Sequence, residues 1–491
     1  MDRKRIKLAV LLATFLAALD GTMVATAGPV IARGLSGLNL YPWMLAGFMA
    51  TAAIATPVFG RLADNFSPGR LYTLALSVFA LGSLGCATAE NMPVLIGFRA
   101  FQGIGAGGIF TVGLIMIGQV FEGSERAKAL GAQSAMWGIA AVLGPVTGGL
   151  FAAAGLWRWL FFMSVPLAFA AIILTRSMTK SGAMKRVIPE SESTPFDFMG
   201  VLWLTISLSA LLFVPMALAA GMDLPALLAV AVGGISGVLL WRTERRAQYP
   251  LLPMQKLQET PILRLLAAGL VSSAVLYAAV TVIPLLTQNA MGLPASVAGL
   301  ILLPIPVGWA IGSMAAGRRC AGVGGRSVAS SGLALMILGL LVCSWQGASE
   351  LQILALVVGG GLLGFGVGHL IIGALWEVQG LAAERELGLY TGLFNFARNL
   401  GNAFGPAIFG GLVLLLERGS MGALIGNGFQ SQAAPALLAQ SIHEIMWMLV
   451  AVVVILIPVV AEFGSRESPV EAIRHSDLRA KANGETGGHV L

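Results

Sequence analysis

A chain of 491 residues is long enough for about three soluble domains by length alone, but 57% hydrophobic residues, 11% charged residues and a mean hydropathy of +0.85 exclude a water-soluble protein. A formal charge of +7 would suggest nucleic acid in a soluble chain; here the basic residues gather in short polar segments between apolar runs, so they mark membrane topology and no nucleic-acid partner is expected. The 63 glycines suit helices packed closely in a bilayer, and apolar runs of about 20 residues suit helices rather than barrel strands of roughly 10.

Fourteen runs are long enough to cross about 30 Å of hydrocarbon: 8–32, 43–62, 71–89, 93–120, 129–154, 157–175, 196–219, 224–241, 262–286, 294–314, 327–345, 351–377, 387–416 and 442–460. The first follows Arg3-Lys4-Arg5 and contains Ala25-Thr26-Ala27, features that imitate a secretory signal. It is much longer than the roughly 7–15 apolar residues of a signal core and carries an acid, Asp20, so it reads as a retained span. The segments between runs are short, the longest being 176–195 and 417–441, and a polar tail follows Phe463. No soluble catalytic domain fits between them, so the chain is not expected to be an enzyme. Cys86, Cys320 and Cys343 lie in or beside apolar runs without CxxC spacing and read as packing residues rather than metal or redox groups.

Counting Lys and Arg on alternate sides, with the N-terminus inside, puts 25 inside and three outside (Arg33, Arg158 and Arg418), and leaves Arg99 and Arg398 within runs. Both termini are therefore expected in the cytoplasm, and the chain is expected to be a multi-pass protein of the cytoplasmic (inner) membrane. The outer segment 417–441 is long enough to meet a periplasmic adaptor, although its Gly/Ala/Gln composition suits a flexible connector equally. A monomer is the expected working unit.

Two internal repeats organise the runs. Leu143-Gly144-Pro145-Val146-Thr147-Gly148-Gly149-Leu150 in the fifth has a counterpart at 404–412 in the thirteenth, and Gly103-Ile104-Gly105-Ala106-Gly107 in the fourth matches Gly364-Phe365-Gly366-Val367-Gly368 in the twelfth. An offset of eight implies two six-helix halves separated by two additional helices. The expected division is an N-terminal bundle over 1–176, a cytoplasmic linker with two extra helices over 177–260, a C-terminal bundle over 261–463 and a cytoplasmic tail over 464–491.

Within this 6+2+6 plan, segments along nearly the whole chain resemble the 14-helix drug:proton antiporters of the major facilitator superfamily. Leu19-Asp20-Gly21-Thr22-Met23-Val24 with Pro29 is similar to the first-helix signature, with Ala25 where asparagine is usual. Gly60-Arg61-Leu62-Ala63-Asp64 followed by Gly69-Arg70 resembles the loop 2–3 motif, lengthened at Ser67-Pro68 and with Asn65 and Leu71 at positions usually basic. Arg99-Ala100-Phe101-Gln102-Gly103-Ile104-Gly105 resembles the fourth-helix motif, Gly144-Pro145-Val146-Thr147-Gly148-Gly149 the antiporter motif of helix five, and Trp157-Arg158-Trp159 with Val165-Pro166 the start of helix six. The resemblance implies an all-α integral membrane protein with the major facilitator fold: fourteen transmembrane helices, two six-helix bundles and a site near the midplane. It also implies proton-coupled export of lipophilic or amphipathic small molecules (multidrug efflux) by alternating access, with protons as the coupling ion and no other cofactor. The alternatives are a proton symporter or uniporter for a specific metabolite or lipid and, more remotely, a transport-inactive sensor or membrane enzyme, for which no intramembrane His/Cys/Glu grouping offers a site.

The candidate site residues follow from the cost of polar groups in hydrocarbon. Asp20 lies 12 residues past Leu8, roughly 18 Å into a roughly 30 Å core. Two readings stand for it: an acid for which a proton and a substrate compete, or a structural carboxylate satisfied by backbone or hydroxyls such as Thr22. Arg99 is expected at similar depth, either tuning Asp20 or packing a helix through backbone carbonyls, and Gln102 follows it on the same motif. Arg398 is the second deep cation, with no acid at matching depth in its half. Glu377 and His369 lie nearer the cytoplasmic surface, Glu377 as a secondary transport candidate. Gly144 and Gly148 share a helix face for close packing, with Pro145 and Gly149 completing the motif. By resemblance, Gly60, Arg61, Asp64, Gly69 and Arg70 form a cytoplasmic latch between conformations; the alternative is a plain solvated, positive-inside loop.

Overall fold

A computed structural model describes residues 2–121, 123–179, 197–247, 250–252, 254–346, 349–381, 387–421 and 434–463. The side chains of some further helical residues, Asp64 among them, lie outside the described residues, as do 422–433, the middle of the segment considered for an adaptor, and the tail 464–491.

Among the described residues, fourteen helical spans are long and apolar enough to cross a membrane: Arg3–Gly34, Leu38–Ala63, Pro68–Thr88, Met92–Val120, Ala135–Ala153, Arg158–Arg176, Phe198–Ala219, Asp223–Arg246, Thr260–Ala290, Ala295–Cys320, Gly322–Cys343, Glu350–Gly380, Tyr390–Leu416 and Ala436–Ala461. Each coincides with one of the fourteen apolar runs. Several continue past their run, the tenth through Arg318 and Arg319 to Cys320. A backbone that stays helical keeps its N–H and C=O groups bonded through the interface, while long basic side chains reach water. Side-chain caps start two of the spans: Asn91 accepts from the Val94 amide at 3.0 Å, and Asp197 accepts from the Gly200 amide at 2.7 Å. The sixth span is interrupted between Arg158–Phe162 and Ser164–Thr179, where Pro166 withholds an amide from the preceding turn. The tenth and eleventh spans reverse at Gly324, whose φ of +78° lies in the left-handed region. An even number of spans brings both ends to one face, here the terminal face; the opposite one is the far face.

The glycine repeats do the same work in each half. Gly103 and Gly107 of the fourth span abut the backbone of Phe48 and Ala52 in the second, and Gly105 abuts Ala75 and Phe79 in the third. In the twelfth span, Gly364 and Gly368 abut Ile305 and Trp309 in the tenth, and Gly366 abuts Gly332 and Met336 in the eleventh. A Cβ at any of these positions would collide with a neighbouring helix, so side-chain-free contact sets how closely the spans approach. The pairs 2/10, 3/11 and 4/12 carry the offset of eight into three dimensions, which gives two six-helix bundles.

Spans seven and eight pack against each other, with Ser207 Oγ donating to the Gly233 carbonyl at 2.9 Å. Span seven lies against spans thirteen and two: Pro215 meets Gly411, and Leu212 joins Ala403 and Ala407 in the first half's apolar core. Leu224, Leu227, Leu228 and Ile235 of span eight are exposed, as side chains facing lipid are. The additional pair is therefore attached to one edge of the joint between the halves.

Candidate functional site

Asp20 is fully buried and paired. Its Oδ2 accepts from Arg99 Nη1 at 2.5 Å, and its Oδ1 accepts from Gln102 Nε2 at 3.0 Å. Gln102 Nε2 also donates to Ser83 Oγ at 2.8 Å, and Gln102 Oε1 accepts from Arg99 Nη1 at 2.5 Å. Asp20, Ser83, Arg99 and Gln102 each have 0% exposure. Spans one, three and four supply them; span two closes the cluster with the Met44 carbonyl, 3.5 Å from Arg99 Nε, and with the Phe48 ring, 4.0 Å from the guanidinium carbon. The guanidinium thus meets an aromatic face as well as a carboxylate. Thr22, the alternative partner for Asp20, donates instead to the carbonyls of Ala18, Leu19 and, in span five, Ala140, each at 3.1 Å. The acid thus sits inside the first bundle as half of an ion pair with Arg99.

The fifth span uses its motif on two faces. Gly144 and Gly148 press on Thr22 and on the backbone of Met23 in span one, whereas Gly149 presses on Ala295 and Ser296 of span ten, in the other half. Gly299 of span ten returns the contact at the Pro145 carbonyl, one turn after Ala141, whose carbonyl Pro145 leaves without an amide donor. Two hydrogen bonds join the halves nearby: Tyr41 Oη donates to the Thr281 carbonyl at 3.2 Å, and Gln288 Nε2 donates to the Thr26 carbonyl at 3.0 Å. These contacts all lie toward the far face. Nearer mid-span, Trp137 stacks on Phe110 at 5.2 Å and meets Trp309 of the other half edge-on at 6.1 Å; the Trp309 indole N–H is buried without a partner.

The loop 2–3 residues differ in their surroundings. Gly60 makes an ordinary contact with the Thr111 methyl, Gly69 is buried, Arg70 is exposed, and Arg61 is half-buried; the Asp64 side chain lies outside the described residues. Arg61 interacts electrostatically with Glu244 at the end of span eight. Glu244 is 2% exposed, and one of its oxygens accepts from the Leu252 amide at 3.0 Å. Its other oxygen and Asp197 Oδ2 are buried without partners and crowd the same space beside Gly200. The basic residue of the second span's end therefore acts on an acid carried by the second of the additional helices.

Of the secondary candidates, Glu377 accepts from the Arg326 amide at 2.9 Å, just after the turn at Gly324, so it caps the start of the eleventh span. His369 is 1% exposed and stacks on Phe365 at 4.5 Å. Arg398 donates to Asn395 Oδ1 at 3.2 Å and interacts electrostatically with Tyr277 of span nine. Among the described residues, no group of three or more His, Cys, Asp or Glu side chains is arranged to hold a metal. Sequence reasoning did not identify Ser83, since a single serine in an apolar run is inexpensive and common. It also passed over Asn395, Asn399 and Asn402 around Arg398; their helical spacing is the signal that finds them.

Comparison with known proteins agrees with this architecture. The family model described as Major Facilitator Superfamily matches residues 10–406. The chain is 29% identical to "Multidrug transporter protein MdtP" of Bacillus subtilis (strain 168), over 82% of this chain and 74% of that one. It is 30% identical to "MFS-type transporter ppz2" of Metarhizium majus (strain ARSEF 297), over 82% and 70%. Among solved structures, a bacterial homolog to the human lysosomal transporter Spinster, in an inward-facing and occupied conformation, superimposes with a TM-score of 0.68 at 14% identity, covering 95% of this chain and 99% of that one.

Proposed function

Because the chain belongs to the Major Facilitator Superfamily, we propose that it is a proton-coupled antiporter exporting lipophilic or amphipathic small molecules across the cytoplasmic membrane by alternating access. The observation that carries this reading is the Asp20–Arg99 pair, a neutral ion pair with both members fully buried. A proton arriving at Asp20 removes the negative half and leaves Arg99 uncompensated in a low-dielectric interior. Breaking a buried pair in this way costs about 3–5 kcal/mol, enough to favour a different packing of spans one, three and four. Since Thr22 and Met23 of span one also form the seam with span five, a change at Asp20 is transmitted to the helix that touches the other half.

Inward movement of one proton releases about 2.3 kcal/mol per 100 mV, with any pH gradient in addition. Export as the direction is supported by relatives named as multidrug transporters and efflux pumps, and the inside excess of Lys and Arg supports cytoplasmic termini. The aromatic group of Phe110, Trp137 and Trp309 suits flat apolar compounds.

The test is reconstitution into liposomes with internal pH recorded while lipophilic cations, neutral compounds and amphipathic anions are added in turn. Substrate-triggered proton movement in the wild type, abolished in Asp20→Asn, is the expected result. Substrate movement without a proton signal in either protein overturns the antiport reading and leaves a uniporter.

A further inference from the structure

Asn395, Arg398, Asn399 and Asn402 recur at i, i+3, i+4 and i+7, so they occupy one face of the thirteenth span. That face extends over about 10 Å at 1.5 Å per residue. All four side chains are half-buried, neither sealed in a core nor spread on lipid. Asn399 Nδ2 donates to Thr56 Oγ1 of the second span at 3.4 Å, which turns the face toward the other half. Tyr277, which interacts with Arg398, packs from span nine against the first half's core. Polar side chains within a membrane span face a partner or a water-filled cavity, and here they face the joint between the bundles.

Arg99 is neutralised by Asp20, but among the described residues no carboxylate pairs with Arg398. Its hydrogen bond goes to a neutral amide oxygen, and its Nε is buried without a partner. A helix-packing arginine would bond backbone carbonyls; this one has no described bond to any. Asn395 uses its oxygen on Arg398 and retains its NH2 group as a donor, so the face offers more donors than acceptors. A guanidinium with free N–H groups is matched by a planar anion that accepts two parallel hydrogen bonds.

We infer that this face binds the acidic headgroup of the transported molecule, and that the substrates are amphipathic organic anions bearing a carboxylate or sulfonate. The inference rests on the export reading above and names its substrate class.

Three probes on one naphthyl scaffold test it, carrying a carboxylate, the corresponding primary amide or a trimethylammonium group. Their protein-dependent movement is followed in liposomes containing the wild type, Arg398→Gln or Arg398→Lys under an imposed pH gradient. The wild type is expected to move the carboxylate with a KM at least about tenfold below that of the amide, since a hydrogen bond to a charged group contributes that much or more. Arg398→Gln should raise the carboxylate KM by about tenfold, bringing it to that of the amide measured in the same variant, and Arg398→Lys should retain part of the difference. Equal KM values for carboxylate and amide in the wild type, a preference for the ammonium, or an unchanged carboxylate KM in Arg398→Gln overturns the inference and leaves export standing. Loss of all three probes in both variants marks a structural arginine and also overturns it. Failure of the wild type to move any probe overturns the export reading and this inference together.

Discussion

The ion pair at Asp20 and Arg99 is held by four side chains from three spans, and its members depend on one another. Removing either charge leaves the other buried without its counter-ion, a loss of about 3–5 kcal/mol, whereas removing both leaves only a packing defect. We expect Asp20→Asn and Arg99→Met each to lower the unfolding midpoint in detergent markedly, and the double variant to lose clearly less than the sum; additive losses would show that the charges do not stabilise each other. The pair was legible because an ion in a long apolar run is conspicuous, and the depths of Asp20 and Arg99 could be compared by counting residues. Its enclosure was not legible, because the same sequence fits an acid facing water and an acid facing Arg99. Glu377 illustrates the opposite limit: its bond to the Arg326 amide depends on the turn at Gly324, which brings together residues about fifty positions apart.

The fifth span shows how one helix can serve two purposes with adjacent glycines. Gly148 faces span one within its own bundle, and Gly149 faces span ten across the joint. Gly148→Val should reduce stability by about 1–3 kcal/mol through overpacking without altering the contact between halves. Gly149→Val can relieve its clash by parting the halves at the far face. The check is cross-linking between cysteines at Thr26 and Gln288, positions now joined by a hydrogen bond. Yield should fall for Gly149→Val and hold for Gly148→Val; equal yields would mean that the seam does not distinguish its two faces. The glycine repeats were readable because close helix contact demands small residues, and they gave the pairing of spans. Helix ends were less readable, since apolar runs stop at the hydrocarbon while backbone hydrogen bonding continues beyond it, as at Arg318 and Arg319.

At the scale of the whole molecule, the repeat offset revealed that two helices had been added but carried no information on which edge they occupy, since that depends on contacts such as Pro215 with Gly411. Their position makes the two edges of the joint unequal. On the edge formed by spans five and ten, Ile139, Val142, Leu143, Leu300 and Ile311 are exposed. On the other, Ala407 of span thirteen is fully buried in the cluster that holds Leu212 of span seven, and span seven lies against both spans thirteen and two. A bilayer-soluble maleimide should therefore modify Leu143→Cys readily and Ala407→Cys hardly at all; equal labelling would mean that the additional helices do not cover that edge. Lipid chains thus meet this molecule as a book with a covered spine and a bare fore-edge, where the seam between spans five and ten itself lies against the hydrocarbon.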